Sequence, residues 1–251
     1  MKAVLLCAGK GTRIKSEDAD LPKCLFPVYG KPMVRHVLDA LDFLPPEDII
    51  IVVGFLKDQV METLGGGYRY AIQEPRKGTA HAVMSAEPLL SDYEGDVLLQ
   101  YGDMPLVSRE TYLGMIGAQR GSGAKLTVLA ATSEEVPDYG RLVRDQAGRL
   151  MDVIDYTDCT PEQLAIREVN VGANVADCRT LFSALHKIDN NNSKGEYYLQ
   201  HLPRVFYREN LPIEVCAVVN HDEIFGVNSR EDLARCERIL KAREDKNEGI
   251  R

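Results

Sequence analysis

The 251-residue chain has no apolar run approaching the roughly 20 residues that a membrane-spanning helix requires; its longest, from Ile49 to Leu56, is interrupted by Gly54. It also lacks a basic excess. Thirty Lys and Arg stand against 38 Asp and Glu, a formal net charge of -8, whereas phosphate polymers and anionic bilayers select basic surfaces. Neither a nucleic acid nor a membrane is therefore expected as a partner, and any cation that meets a phosphate must act locally. CxxC pairs are missing too: the six cysteines at 7, 24, 159, 178, 216 and 236 never come closer than 17 residues. That spacing excludes the common zinc and dithiol redox motifs and predicts free thiols in a reducing compartment. Met1 to Cys7 superficially looks like a leader, but the run is short and Lys10 and Arg13 follow it, so it reads as a buried first strand and the protein as cytoplasmic. Walker A spacing does not occur, and Ile14 stands where a GxGxxG loop needs its third glycine. Internal repeats, long linkers and low-complexity stretches are also lacking.

What is present is a globular composition, 45% hydrophobic, enough to bury a large core. Short β-branched or Leu-rich runs at Ala3–Cys7, Ile49–Val53, Asp96–Gln100 and Lys125–Ala131 have the uniform apolarity of strands buried on both faces of a parallel sheet. Between them, Val34, Val37, Leu38, Leu41 and Leu44 fall three or four apart, as do Ala82, Val83, Ala86 and Leu90, which is helical spacing. The alternation predicts βαβ units. Further on, Arg141–Asp145 and Leu150–Tyr156 flank a turn and read as a hairpin, with strands at Arg167–Val175 and Ile213–Val219. Helices are expected at Cys178–His186, Glu196–Arg208 and Arg230–Ala242, with a frayed tail after the last. The whole reads as a single mixed α/β domain, with a mainly parallel sheet flanked by helices.

Ala8-Gly9-Lys10-Gly11-Thr12-Arg13 follows the first strand directly, at the carboxyl end where open α/β sheets bind ligands. Glycines there let backbone N–H groups approach phosphate oxygens. Ten residues on, Leu21-Pro22-Lys23 stiffens the approach to a lysine that could reach the same phosphates. By themselves these residues fit a tight turn with a solvated lysine equally well. Tyr101-Gly102-Asp103 sets one carboxylate at a strand end, which suits Mg2+ and also an ordinary turn. Gln73 offers an amide able to donate and accept at a pyrimidine edge, and Gly78-Thr79 could open a helix beside it or serve only as a helix start.

In order along the chain, the run from Leu6 to Arg13 and Leu21-Pro22-Lys23 resembles the signature of the sugar-phosphate nucleotidylyltransferases. With Gln73, Gly78-Thr79-Ala80-His81-Ala82, Tyr101-Gly102-Asp103, Tyr139-Gly140-Arg141, Glu168-Val169-Asn170-Val171-Gly172, Gly195-Glu196-Tyr197-Tyr198 and Gly226-Val227-Asn228, the set is similar to the uridyltransferase domain of the bacterial N-acetylglucosamine-1-phosphate uridyltransferases. That resemblance implies a Rossmann-like nucleotidyltransferase fold with β-hairpin elements over the sugar site. It implies that Arg13 and Lys23 are catalytic, and that Leu6, Ala8, Gly9, Gly11, Thr12, Gln73, Gly78 and Thr79 bind UTP. Tyr101, Gly102, Gly140, Asp155, Asn170 and Tyr197 would bind the sugar 1-phosphate, and Asp103 and Asn228 would hold Mg2+. Residues 1–110 would form a nucleotide-binding half, 111–229 a sugar-binding half and 230–251 a C-terminal helix and tail. The left-handed β-helix that acetylates in bifunctional members is not expected; if acetylation is needed, a separate acetyltransferase partner supplies it.

The chain departs from the family pattern at Asp155, commonly Glu, at Thr157, commonly Lys, and at Gln200-His201, commonly Thr-Asp, all on the sugar side. Cys7 replaces an alanine at the loop. Rival readings are a transferase for another sugar 1-phosphate or pyrimidine, and a non-catalytic nucleotide-sugar sensor on the same fold.

Overall fold

The computed structural model describes residues 1–11, 14, 21–133 and 138–248. Strand β1 (Lys2–Cys7) leads through a two-strand hairpin, β2 (Pro27–Val28) and β3 (Lys31–Pro32), to helix α1 (Met33–Ala40). Then follow β4 (Ile49–Val53), α2 (Lys57–Leu64), β5 (Arg69–Ile72), α3 (Thr79–Met84), β6 (Asp96–Tyr101), α4 (Arg109–Ser122) and β7 (Leu126–Thr132). The second half adds the hairpin β8 (Arg141–Arg144) and β9 (Leu150–Ile154), α5 (Pro161–Leu164) and the long β10 (Glu168–Asp177). It ends with α6 (Cys178–Leu185), α7 (Leu202–Arg208), β11 (Ile213–Ala217) and α8 (Arg230–Glu248).

Strand order in the main sheet is β11-β7-β10-β6-β1-β4-β5, with β8 on β10 and β9 on β8. β1 lies parallel to both neighbours, Leu6 facing Val52 on one side and Tyr101 on the other. β10 runs antiparallel to β6 and to β7, so the expected mixed, mainly parallel sheet is what forms. Side chains along a strand alternate between faces, and the two cores follow that rule. Ala3, Leu5, Ile49, Ile51 and Val53 join α1, α2 and α4 on one face, while Val4, Ile50 and Val52 join α3, α6 and α7 on the other. Each fully buried Leu, Ile or Val contributes roughly 1.5–3 kcal/mol. A third, smaller core joins Phe26, Val28, Met33 and Leu106 to Val227 and Cys236 and so anchors the start of α8.

Among the elements that differ from expectation, three have a clear physical reason. β5 was not foreseen because it is an edge strand with a single buried side chain, Ala71. The helix read from Ala82 to Leu90 stops at Met84 and resumes only as a 3-10 turn at Glu87–Leu89, since Pro88 has no N–H to continue the ladder. The helix expected from Glu196 begins at Leu202, because Tyr197 spends its N–H on Lys77 O (2.9 Å) and its carbonyl on Ala80 N (2.8 Å). α8 in turn runs past Ala242 to Glu248. Among the described residues no helix is long and apolar enough to cross a membrane.

Candidate active site

Parallel strands point their carboxyl ends the same way, and at that edge β1 and β6 open a cavity of about 460 Å3. Leu6, Ala8, Gly9 and Gly11 line it from the first loop. A Cβ on Gly9 would meet no protein atom within 4 Å, so this stretch of backbone is open to a ligand. Gly11, at φ +68°, turns the chain over Lys23, whose Cβ would stand 2.9 Å from a Cβ added there. Thr12 and Arg13 lie outside the described residues.

Lys23 follows Pro22 into a short 3-10 turn, which aims its side chain back under the loop. Its Nζ donates to Asp103 Oδ2 and to Asn228 Oδ1, the latter at 2.8 Å. One cation thus gathers two oxygens brought from residues 103 and 228. Asp103 follows β6, and Asp103 O accepts from Val227 N (3.0 Å), binding the second segment to the first. Asn228 stands before α8 but is not its cap. Ser229 Oγ accepts from Asp232 N (3.1 Å), while Asp232 Oδ2 accepts from the amides of Asn228 and Ser229, both at 2.9 Å. The capping work falls to that pair, and the Asn228 carboxamide oxygen remains turned to the cavity.

This donor set fits Mg2+. Asp103 and Asn228 supply two hard oxygens that already converge on one positive centre, the Lys23 ammonium. Mg2+ takes one or two protein carboxylates and completes its shell with phosphate and water.

Gly102, expected at the sugar, has a packing role here. Its N–H donates to Leu6 O (3.1 Å), and a Cβ would stand 2.6 Å from Cys7 Sγ and 3.2 Å from Cys24 Cβ. Both cysteines also line the cavity, which spacing alone had not flagged. The neighbouring Cys24 thiol, then burial, pushes the Cys7 thiol well above its ordinary pKa, so Cys7 walls the pocket as a neutral group.

At the other end of the cavity Gln73 leaves β5 with its N–H on Val53 O (2.8 Å) and its side chain 4% exposed. The amide Nε2 donates to Gly78 O at 2.8 Å and meets His81 Nδ1 at 3.3 Å. Both amide hydrogens are used inside the protein, so Gln73 faces the cavity as an acceptor rather than as donor and acceptor together. Gly78 (φ +109°) caps α3, and Thr79 is the first residue of that helix, so the helix start and the cavity wall are the same residues. Thr79 Oγ1 accepts from Leu199 N (2.9 Å). Tyr101 lines the wall between the two ends. Burial pushes its phenol up to about 12 against the opposing hydrogen bond from Thr79, which keeps it protonated. A Cβ on Gly172 would lie 2.9 Å from the Tyr101 ring, so that glycine (φ +103°), at an irregularity in β10, lets the strand pass over it.

Of the remaining sugar-side residues, Asp155, Gly140, Asn170 and Tyr197 stand beside the cavity rather than in its wall. Asp155 Oδ1 accepts from Thr157 N (3.1 Å) and Oγ1 (2.6 Å), and Oδ2 accepts from Gln200 Nε2 (3.1 Å). Burial pushes that carboxyl upward, but the Thr157 and Gln200 hydrogen bonds together hold it below its ordinary range. Gly140 lies under the same glutamine, its absent Cβ 2.8 Å from Gln200 Oε1, and its carbonyl accepts from Asn170 N (2.9 Å). Asp155, Thr157 and Gln200, three separate departures in sequence, are therefore one hydrogen-bonded group. Asn170 turns its Oδ1 to Gly172 N (3.1 Å).

Besides the two cysteines, two charged lining residues were given no role by sequence reasoning. Arg76 lines the cavity with its Cζ 5.7 Å from the Phe55 ring centroid, and Lys10 Nζ lies 5.3 Å from the same centroid. Glu196 lines the wall next to Tyr197. Glu196 falls inside the Gly195-Glu196-Tyr197-Tyr198 motif, which is the signal that could have exposed it; nothing local marks Arg76.

Residues 3–210 match the model of the MobA-like NTP transferase domain. A protein of Geobacillus thermodenitrificans named "Bifunctional protein GlmU" is 42% identical over 241 residues, 96% of this chain and 52% of the relative. Proteins of the same name from a Geobacillus species and from Enterococcus faecalis are 40% and 37% identical over the same share of this chain, each again covered to 52%. The chain spans about half the length of these curated relatives. By its fold, its ordered motifs and the match across most of its length, the chain belongs to the MobA-like NTP transferase domain family.

Proposed function

We propose that the protein transfers a uridylyl group from UTP to N-acetylglucosamine 1-phosphate, forming UDP-N-acetylglucosamine and pyrophosphate, with Mg2+ held between Asp103 and Asn228. The observation that carries this reading is the meeting of Lys23, Asp103 and Asn228 at one end of a cavity whose other end presents the Gln73 acceptor. Mg2+, when bound, supplies positive charge to the phosphate oxygens. The backbone of Gly9 to Gly11 cradles the triphosphate, and Gln73 accepts from the base. An oxygen of the sugar phosphate forms a bond to the α-phosphorus as the bond from that phosphorus to the oxygen bridging to the β-phosphate breaks, and pyrophosphate takes the electron pair. Lys23 offsets charge on the transferring group, a step that depends on positioning and electrostatics more than on covalent chemistry. No general base is required, because a phosphate monoester is already anionic near neutral pH. Two polar groups serve the sugar: the Glu196 carboxylate, which can accept from hydroxyls, and Asn170, which can bond the N-acetyl group.

The names of the relatives support this reading, since "GlmU" recurs at about 40% identity. The test is pyrophosphate release with Mg2+ from each common nucleoside triphosphate against a panel of sugar 1-phosphates. Release is expected with UTP and N-acetylglucosamine 1-phosphate and is expected to fall about 100-fold or more in Asp103→Ala, the scale of losing one electrostatic anchor in phosphoryl chemistry. Release with a different sugar would move specificity to the Asp155, Thr157 and Gln200 group. Silence across the panel would favour a nucleotide-sugar sensor.

A further inference from the structure

The Gln73 carboxamide could in principle present either its oxygen or its NH2 to a base, and its neighbours decide between them. Gly78 O, 2.8 Å away, can only accept, so the atom facing it must be the amide nitrogen. The second hydrogen on that nitrogen then points toward His81 Nδ1 at 3.3 Å, which must carry a lone pair rather than a proton. With both hydrogens held inside, the oxygen is the group left for the cavity, and it has no other partner among the described residues. A uracil ring carries N3–H and meets that oxygen as a donor; a cytosine ring carries a lone pair at N3 and is repelled by it. We infer that His81, a residue that does not line the cavity, is a positioning residue for base choice: it locks the Gln73 amide oxygen-outward and so selects a uracil over a cytosine nucleotide.

Two further observations support the assignment. Burial, then the nearby Lys77 charge, lowers the His81 pKa, which keeps the ring neutral and Nδ1 available as an acceptor. Gln73 is almost fully buried, and its main chain is pinned to Val53, so the side chain has little freedom to present its amide in another way. His81 itself lies on α3, one turn after the Gly78-Thr79 start, so the helix that walls the base end also carries the group that sets its polarity.

The inference rests on the uridylyl reading, and the experiment separates the two. We would measure kcat and KM for UTP and for CTP at saturating sugar 1-phosphate in the wild type, His81→Ala and His81→Asn, with thermal melting of each. Asparagine places its Oδ1 near the position of Nδ1 and restores an acceptor. Expected is a fall of about tenfold in the UTP-to-CTP ratio of kcat/KM for His81→Ala, the scale of one hydrogen bond, carried by KM rather than kcat. His81→Asn should return the ratio to within about threefold of wild type. An unchanged ratio in His81→Ala overturns the inference and leaves the uridylyl reading standing. A ratio that falls equally in both variants, with lowered melting temperatures, shows a structural role and overturns it as well. A wild type that uses UTP and CTP alike overturns both.

Discussion

Lys23 is held by two oxygen acceptors that are also the residues best suited to Mg2+, so the lysine stands against the site it would share with the metal. Its role in offsetting charge on a phosphoryl group predicts that Lys23→Ala lowers kcat by about 100- to 1,000-fold, the scale seen for removal of one preorganised charge-stabilising donor. Steady-state pyrophosphate assay checks this, with UTP binding measured by calorimetry expected to weaken less than kcat falls. Asp155 is a residue of another kind, since its hydrogen bonds to Thr157 and Gln200 are made in the ionised form and hold its pKa below the ordinary carboxylate value. A depressed folded-state pKa contributes stability above the unfolded value, near 3.9, and loses it as pH falls through the folded value. Thr157→Val should therefore cost about 1 kcal/mol at pH 7, the net worth of one hydrogen bond, and progressively less as pH falls below the unfolded value and through the folded one, as urea unfolding across an acid pH series would reveal.

The element that matters most to the site is the stretch of residues 195–198, which has no regular structure, with the 3-10 turn it enters at Leu199. It is stitched to the start of α3 by Tyr197 N to Lys77 O, Ala80 N to Tyr197 O and Leu199 N to Thr79 Oγ1, between 2.8 and 2.9 Å. These bonds tie the base end of the cavity to the sugar end. Gly78 makes the contact feasible: it adopts φ +109°, where side chains are strained, and a Cβ would stand 2.5 Å from Tyr197 O. Gly78→Ala is expected to destabilise by about 1–3 kcal/mol and to raise KM for both substrates together, because the segment must move away from α3. A variant that raised KM for only one substrate would show that the two ends are not coupled through this contact.

At the scale of the whole molecule, stability comes from two cores on opposite faces of one sheet, and charge pairs at the rim contribute little. Phe206 on α7 is fully buried in the core that also holds α3 and α6. Phe206→Ala should cost about 3–5 kcal/mol, a melting shift on the order of 10 °C for a chain of this size. By contrast, the Arg179 and Glu94 side chains, 78% and 72% exposed, form a surface ion pair, and Glu94→Ala should change stability by less than about 1 kcal/mol. Differential scanning calorimetry of the two variants makes the comparison. Against the net charge of -8, Arg76 in the cavity wall and Lys10 on the first loop bring two cations to one Phe55 ring.

Sequence by itself determined the strands buried on both faces, because a run such as Ile49–Val53 has no polar side to expose and needs a sheet covered by helices on each side. The resemblance of its ordered motifs also named the loop glycines, Lys23, Gln73, Asp103 and Asn228, which local pattern alone left open between a site and ordinary turns or helix starts. Only tertiary structure brought Lys23 to Asp103 and Asn228, 80 and 205 residues away in the chain. The edge strand β5, the extended segment before α7 and the contribution of Arg76 were equally out of reach, because none has a period or an apolar run of its own. The orientation of the Gln73 amide belongs to the same class: it depends on a carbonyl and a ring nitrogen that fold into place beside it, and no residue pattern states which of its two ends will face the ligand.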